Sequence, residues 1–325
     1  MSKRKGSLGL VFLIGVPLIL WPRFVWTRVG MRSLLVVYKK NHEQIHDSAL
    51  TTVTTALERA KQRHEFEFRT VPREEVERDD FLATDVVIVL GGDGTLTSIA
   101  HSVDDQTLVM GVNSHPMDKE GVGSFGFFMG SNPSRFAQDL TSLIEGSCII
   151  NTLPRLQAEI MTTSGNIIRS DPALNDLLVA NTHQYQPSKY RLKRTGGPAY
   201  PDLDVRQSSS GLLFSTFLGQ GAWFRHAIDM GSFEYQMEQV NDHYLVLSRD
   251  LPNDLRRNDG SHWAWTNQTT MISSDMHRGY VVADGWDEIH FTRGARISVN
   301  NNGPKLKLVT FSEDIYSRVS PGIRG

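Results

Sequence analysis

Asp85-Val-Val-Ile-Val-Leu-Gly-Gly-Asp-Gly-Thr-Leu-Thr-Ser-Ile-Ala-His101 decides the reading of this chain. The run Asp85–Leu90 is continuously apolar after its first residue, the pattern of a strand buried on both faces of a parallel sheet. Gly91, Gly92 and Gly94 let the backbone come close to a ligand. The segment after them predicts a helix, whose first N–H groups and positive dipole end suit phosphate. Asp93 is out of place in a pure anion site. A carboxylate is useful there if it accepts a hydroxyl proton or helps to hold a divalent cation. Loop and acid together point to phosphoryl transfer to a hydroxyl. The simpler alternative is a plain strand–turn–helix connection with Asp93 as helix cap.

Working outward, residues 31–150 alternate strand and helix. Ser33–Tyr38 and Thr107–Val112 are further strand-like runs. His46–Arg63 carries Leu50, Val53, Ala56 and Leu57 at helical spacing, and Pro133–Glu145 reads as a helix with Asn132 as its cap. This implies βαβ units and a Rossmann-like parallel sheet. From Asn151 short strand-like pieces alternate with turns: 156–161, 167–170, 177–180, 190–193, 211–215, 244–247, 280–283, 288–292, 295–299 and 306–310. The second half, 151–305, is therefore expected to be β-rich layered sheets, with 306–325 a C-terminal segment able to return to the first domain.

With 39% apolar residues, 325 positions are ample for two cores, and a net charge of −2 argues against a nucleic-acid binder. Cys148 is the only cysteine, so an internal disulfide and cysteine-rich zinc sites are excluded. It sits beside Ile149 and Ile150 and reads as a small core residue. Residues 1–30 form a basic start and an apolar run, Leu8–Trp21, shorter than the ~20 residues a membrane span needs. They read as a leader or weak anchor outside the fold, with Met31 as an alternative start. Membrane contact is expected only if 8–21 acts as an anchor. Otherwise the expected location is cytoplasmic.

Gly91-Gly92-Asp93-Gly94-Thr95 resembles the signature shared by NAD kinases, diacylglycerol and sphingosine kinases, and phosphofructokinases. Asn175-Asp176, in the β-rich half, resembles the second motif of the NAD kinases. A third element of that family is a Ser-Thr-Pro-Thr-Gly-Ser-Thr-Ala-Tyr turn. Here Ser215, Thr216, Gly219 and Ala222 keep the pattern, while Phe217, Leu218, Gln220 and Gly221 depart from it, Trp223 replaces Tyr, and Ser210 stands where Asp is usual. The Ser-Ser-Gly-Leu opening is closer to the divergent, mitochondrial-type NAD kinases. Asp284-Gly285 and the pair Gly111-Val112-Asn113 with Gly126-Phe127 also resemble family segments.

The resemblance implies phosphorylation of the adenosine ribose 2′-hydroxyl of NAD to give NADP, with ATP or another nucleoside triphosphate or polyphosphate as donor. It implies Mg²⁺ or another divalent cation and a homodimer or homotetramer. Asp93 would activate the acceptor hydroxyl. Gly91, Gly92, Gly94, Thr95 and Asn113 would bind phosphate and nucleotide; Asn175, Asp176, Ser215, Thr216, Gly219, Ala222 and Trp223 would bind NAD. No residue is assigned as a metal ligand. Two other readings are a lipid kinase of the diacylglycerol or sphingosine kind and a catalytically weak dinucleotide-binding sensor.

Two matches are discounted. Gly121-Val-Gly123-Ser-Phe-Gly126 has the spacing of a dinucleotide fingerprint but does not directly follow a strand. His42-Glu43-Gln44-Ile45-His46 has the spacing of a zinc-protease helix but no evident third ligand.

Overall fold

A computed structural model describes residues 31–40, 44–195, 202–228, 242–251 and 262–319. The apolar run 8–21, and His42 and Glu43 of the discounted zinc motif, lie outside the described residues. The elements are β1 (Ser33–Tyr38), α1 (Gln44–Lys61), β2 (Glu67–Pro72), α2 (Arg78–Phe81), β3 (Val86–Gly91), α3 (Asp93–Ala100), β4 (Leu108–Asn113), α4 (Phe136–Ile144) and β5 (Ile149–Leu153). They continue as β6 (Gln157–Met161), β7 (Ile167–Arg169), β8 (Asp176–Asn181), β9 (Ser188–Arg194), β10 (Leu203–Ser209), β11 (Leu212–Thr216), α5 (Trp223–Ala227), β12 (Tyr244–Ser248) and β13 (Trp263–Thr266). The last are β14 (Thr270–Ser274), β15 (Arg278–Ala283), β16 (Trp286–Thr292), β17 (Arg296–Asn300) and β18 (Leu306–Thr310). Among the described residues, no helix is long and apolar enough to cross a membrane.

Three six-stranded sheets result. The first, ordered β2-β1-β3-β4-β18-β5, is parallel except for β5 against β18. The second (β10-β9-β14-β17-β6-β7) and third (β13-β12-β11-β8-β15-β16) are antiparallel. The fold is thus an α/β parallel sheet joined to a β-rich half of layered antiparallel sheets. β5 starts before residue 150 and pairs with β18, so we propose counting both strands with the first unit.

Period-two alternation explains the layering. In β3, Val86, Ile88 and Leu90 face α1 and α4, while Val87 and Val89 face the other way. That second face packs against α3 and against Leu213, Leu245, Leu247 and Trp265 of the third sheet. The opposite residues of the same strands, Leu212, Phe214 and Val246, meet Ile160, Leu192, Ile272 and Ile297 of the second sheet. The central strands of the third sheet, β8, β11 and β12, are therefore buried on both faces.

Several local expectations change. β2, β5, β10 and β14 were not among the expected strands. β10 alternates polar and apolar residues at an open sheet edge, and so lacks the apolar run that marks its neighbours. α4 begins at Phe136 rather than Pro133 and is preceded by Arg135. Asn132 still accepts the Arg135 N–H at 3.2 Å, capping the turn before the helix. Cys148 is half-buried, and burial raises its thiol pKa, in keeping with an inert core residue.

Arg155 joins the two halves. It is fully buried and donates to the carbonyls of Ala100 and Val103, at the C-terminal end of α3, and of Pro304, ahead of β18. Burial lowers its pKa to about 10, against the pull of Asp284, Asp105 and Asp104, so it stays charged. Arg155→Leu should strand these carbonyls and lower stability by about 3 kcal/mol, read as a lower urea midpoint. An unchanged midpoint would contradict this role.

Candidate active site

The glycine loop joins β3 to α3 as expected, and Gly92, not Asp93, takes the capping position. The cavity above it, about 470 Å³, is lined by Gly91–Thr95, Lys39, His46, Arg73, Asn113–His115 and Val122–Ser124. Lys39 directly follows β1, Arg73 follows β2, Gly92 follows β3 and Ser114 follows β4. All four positions are carboxyl ends of parallel strands. The sheet order reverses between β1 and β3, the switch point where open α/β sheets bind ligands.

Asp93 sits in the first turn of α3, where the helix dipole favours a negative charge. Its Oδ2 accepts the Phe127 N–H and its Oδ1 the Phe128 N–H, both at 2.8 Å. Arg318 holds the same loop from its carbonyl side, donating to Phe127 at 2.6 Å and Met129 at 3.0 Å. Burial raises the Asp93 pKa despite these amides and the nearby Arg318 charge. The result is a fixed carboxylate, somewhat more basic than an exposed one.

Asn113 lines the cavity, but its amide is committed to the loop. Its Nδ2 donates to Ser124 O at 3.0 Å and its Oδ1 accepts from the His115 N–H at 3.2 Å. The discounted segment 121–126 folds over the glycine loop and contributes Val122, Gly123 and Ser124 to the wall. His46 lines the cavity, with Nδ1 2.8 Å from Ser114 Oγ. Lys39, Arg73, His46, His115, Ser114 and Ser124 were missed in the sequence. A basic residue just past a parallel strand, as at Lys39 and Arg73, is the signal that could have found two of them.

Asn175 and Asp176 form the turn into β8. Asn175 is half-exposed and Asp176 is buried. Ser215 and Thr216 are buried as well, and their hydroxyls hold this turn: Thr216 Oγ1 donates to Leu174 O at 2.7 Å and accepts the Gly219 N–H at 2.9 Å. Gly219 packs so closely that a Cβ there would lie 2.1 Å from Asn175 O. Phe217 and Leu218, which depart from the family pattern, fill the core instead; the Phe217 ring lies 6.1 Å from Trp265 and 6.0 Å from Tyr316. Ala222 precedes α5, and Trp223 opens it, 38% exposed, with the Arg249 guanidinium 4.8 Å from its ring.

His101, Asp171 and Asp287 bring possible metal-ligand atoms within 4.8 Å of one another. Asp171 is already paired with Arg78. His101 follows the last residue of α3, so this cluster lies a helix length, roughly 12 Å, from the cavity at the glycine loop.

Residues 23–148 match the family model described as the ATP-NAD kinase N-terminal domain. A probable NADH kinase of Oryza sativa subsp. japonica is 24% identical over 236 residues, covering 69% of this chain and 70% of its own. Over residues 23–148 the chain is similar to the NAD kinase family. An NAD kinase of Halorhodospira halophila is 25% identical over 247 residues, covering 72% of this chain and 71% of that one. The fold is also that of solved NAD kinase family structures. An Archaeoglobus fulgidus NAD kinase in complex with ATP superposes with a TM-score of 0.63 at 18% identity, over 88% of this chain and 96% of that one. Yeast NADH kinase complexed with NADH gives 0.66 at 15%, over 90% and 86%.

Asp176 is buried beside Asp284 in this site. Burial and then the neighbouring Asp284 push its pKa up to about 7. Below about pH 4 the folded and unfolded chains both carry this proton; between pH 4 and 7 only the folded chain keeps it. Stability therefore falls as pH rises through that window. Asp176→Asn should match the parent near pH 4 and exceed it by about 2–4 kcal/mol at pH 8, read from denaturant curves. A variant less stable than the parent at pH 8 would contradict this.

Proposed function

We propose that the protein transfers the γ-phosphoryl group of ATP to the 2′-hydroxyl of the adenosine ribose of NAD or NADH, giving NADP or NADPH and ADP. The observation that carries this reading is the cavity at the strand ends. It combines a glycine loop, the cationic Lys39 and Arg73, two imidazoles and, among its described lining residues, one carboxylate, Asp93. That set suits a polyphosphate and one hydroxyl to be deprotonated. Asp93 accepts the hydroxyl proton as the ribose oxygen bonds to the γ-phosphorus. The bond from that phosphorus to the bridging oxygen breaks, and its electrons leave with ADP. Phosphoryl transfer asks the protein chiefly for positioning and charge neutralisation.

A divalent cation such as Mg²⁺ would neutralise donor phosphate charge when bound. One carboxylate and the hydroxyls of Ser114, Ser124 and Thr95 fit an ion held mainly by phosphates and water. Asp93 is the residue that would reach it. On the acceptor side, Asn175 and Asp176 would hold the nucleoside, with Ser215, Thr216 and Gly219 holding their turn and Ala222 and Trp223 bordering it. The relatives named above are NAD or NADH kinases, and none of them is named a lipid kinase or a sensor. ATP as donor over other nucleotides or polyphosphate, a cytoplasmic location and a homodimer or homotetramer belong to the same proposal.

Asp93→Asn is the direct test. Turnover should fall about 10²–10⁴-fold while NAD still binds, measured by steady-state NADP formation and calorimetry. Near-normal turnover would overturn the role given to Asp93.

A further inference from the structure

Asp284 stands at the turn between β15 and β16, far in sequence from the residues it contacts. Asp284 and Gly285 are the two residues between the paired Ala283 and Trp286, and both have positive φ, 49° and 79°. A two-residue turn with both φ positive is the type I′ form, for which asparagine–glycine and aspartate–glycine are preferred. Turn geometry alone is thus satisfied by either residue. The side chain does more. Its Oδ2 accepts the Leu174 N–H at 2.6 Å, and its Oδ1 accepts those of Asn175 and Asp176 at 2.8 and 3.0 Å. The Asp284 N–H returns to Asp176 O at 2.9 Å. An asparagine there has one acceptor oxygen and would set an N–H₂ against an N–H donor.

We propose that Asp284 is a positioning residue for the acceptor: it gathers three consecutive N–H groups of the 174–176 turn and so sets how Asn175 and Asp176 face the ribose. This rests on the NAD phosphorylation proposed above. The turn is clasped from two sides, by Asp284 on its N–H groups and by Thr216 on the Leu174 carbonyl. Asp284 also bears on the charge of Asp176. Burial pushes Asp284 up to about 6, while the three amides and Arg155 pull it down. Arg155 in turn faces Asp104 and Asp105. Asp176 has Asp284 as its neighbouring charge. Neutralising Asp284 removes the repulsion that discourages ionisation of Asp176.

The test is Asp284→Asn in the full chain, assayed with ATP, Mg²⁺ and NAD across pH 5 to 9. The substitution keeps side-chain volume and leaves the turn with a preferred pair, so the protein should fold. The expected result is a 10- to 100-fold lower kcat/KM for NAD, a KM for ATP within about twofold of the parent, and an acid limb shifted to lower pH. Thr216→Val cuts the clasp on its other side and should give the same NAD-selective loss without the pH shift. Unchanged NAD constants in Asp284→Asn, or equal losses for NAD and ATP in both variants, would overturn the proposal. A parent protein that makes no NADP would instead overturn the function on which it rests.

Discussion

Arg155 donates to the carbonyls of Ala100, Val103 and Pro304, and the geometry of the site depends on this contact. Ala100 ends α3, the helix whose other end carries Asp93 and the glycine loop. Arg155 itself lies between β5 and β6, where the chain passes from the first sheet to the second. One buried guanidinium therefore fixes α3 against the half that supplies Asn175 and Asp176. Arg suits the task because its planar fork offers several donors and stays charged when buried. Two-substrate phosphoryl transfer needs the reacting groups held to within fractions of an ångström.

The same design recurs in the loops. Asp93 takes two N–H groups of the 126–129 loop while Arg318 takes its carbonyls. Asp284 takes three N–H groups of the 174–176 turn while Thr216 takes a carbonyl. Each candidate site segment is held on both its donor and acceptor sides. The cost is electrostatic: Asp93, Asp176 and Asp284 all have raised pKa values, with burial the leading cause. Stability given up at a site in exchange for its chemistry is a common feature of enzymes.

The phosphate half was largely legible in the sequence, because one strand, β3, is buried on both faces and writes its burial as an unbroken apolar run. The glycines and Asp93 follow it directly. The strands of the third sheet, such as β11 and β12, were legible for the same reason. β10 and β2 were not, since exposed edge positions leave only weak alternation. The residues that hold the site together were the least legible. Arg155 and Arg318 act on backbone groups distant in sequence, and no local pattern marks such a contact; Asp284 stood out only as part of a family-like segment, not for the N–H groups it holds. Ser215 and Thr216 were found through the family pattern, yet their hydroxyls secure the 174–176 turn. Trp223 was expected near the base, and its ring carries the Arg249 guanidinium.

The most direct measurement is where the phosphate lands. The full chain, incubated with ATP, Mg²⁺ and NAD, should yield one phosphorylated product whose ³¹P–¹H couplings place the new phosphate on the 2′ carbon of the adenosine ribose. NAD lacking that hydroxyl should yield none. Phosphate at another hydroxyl, or tight NAD binding with no transfer, would contradict the account.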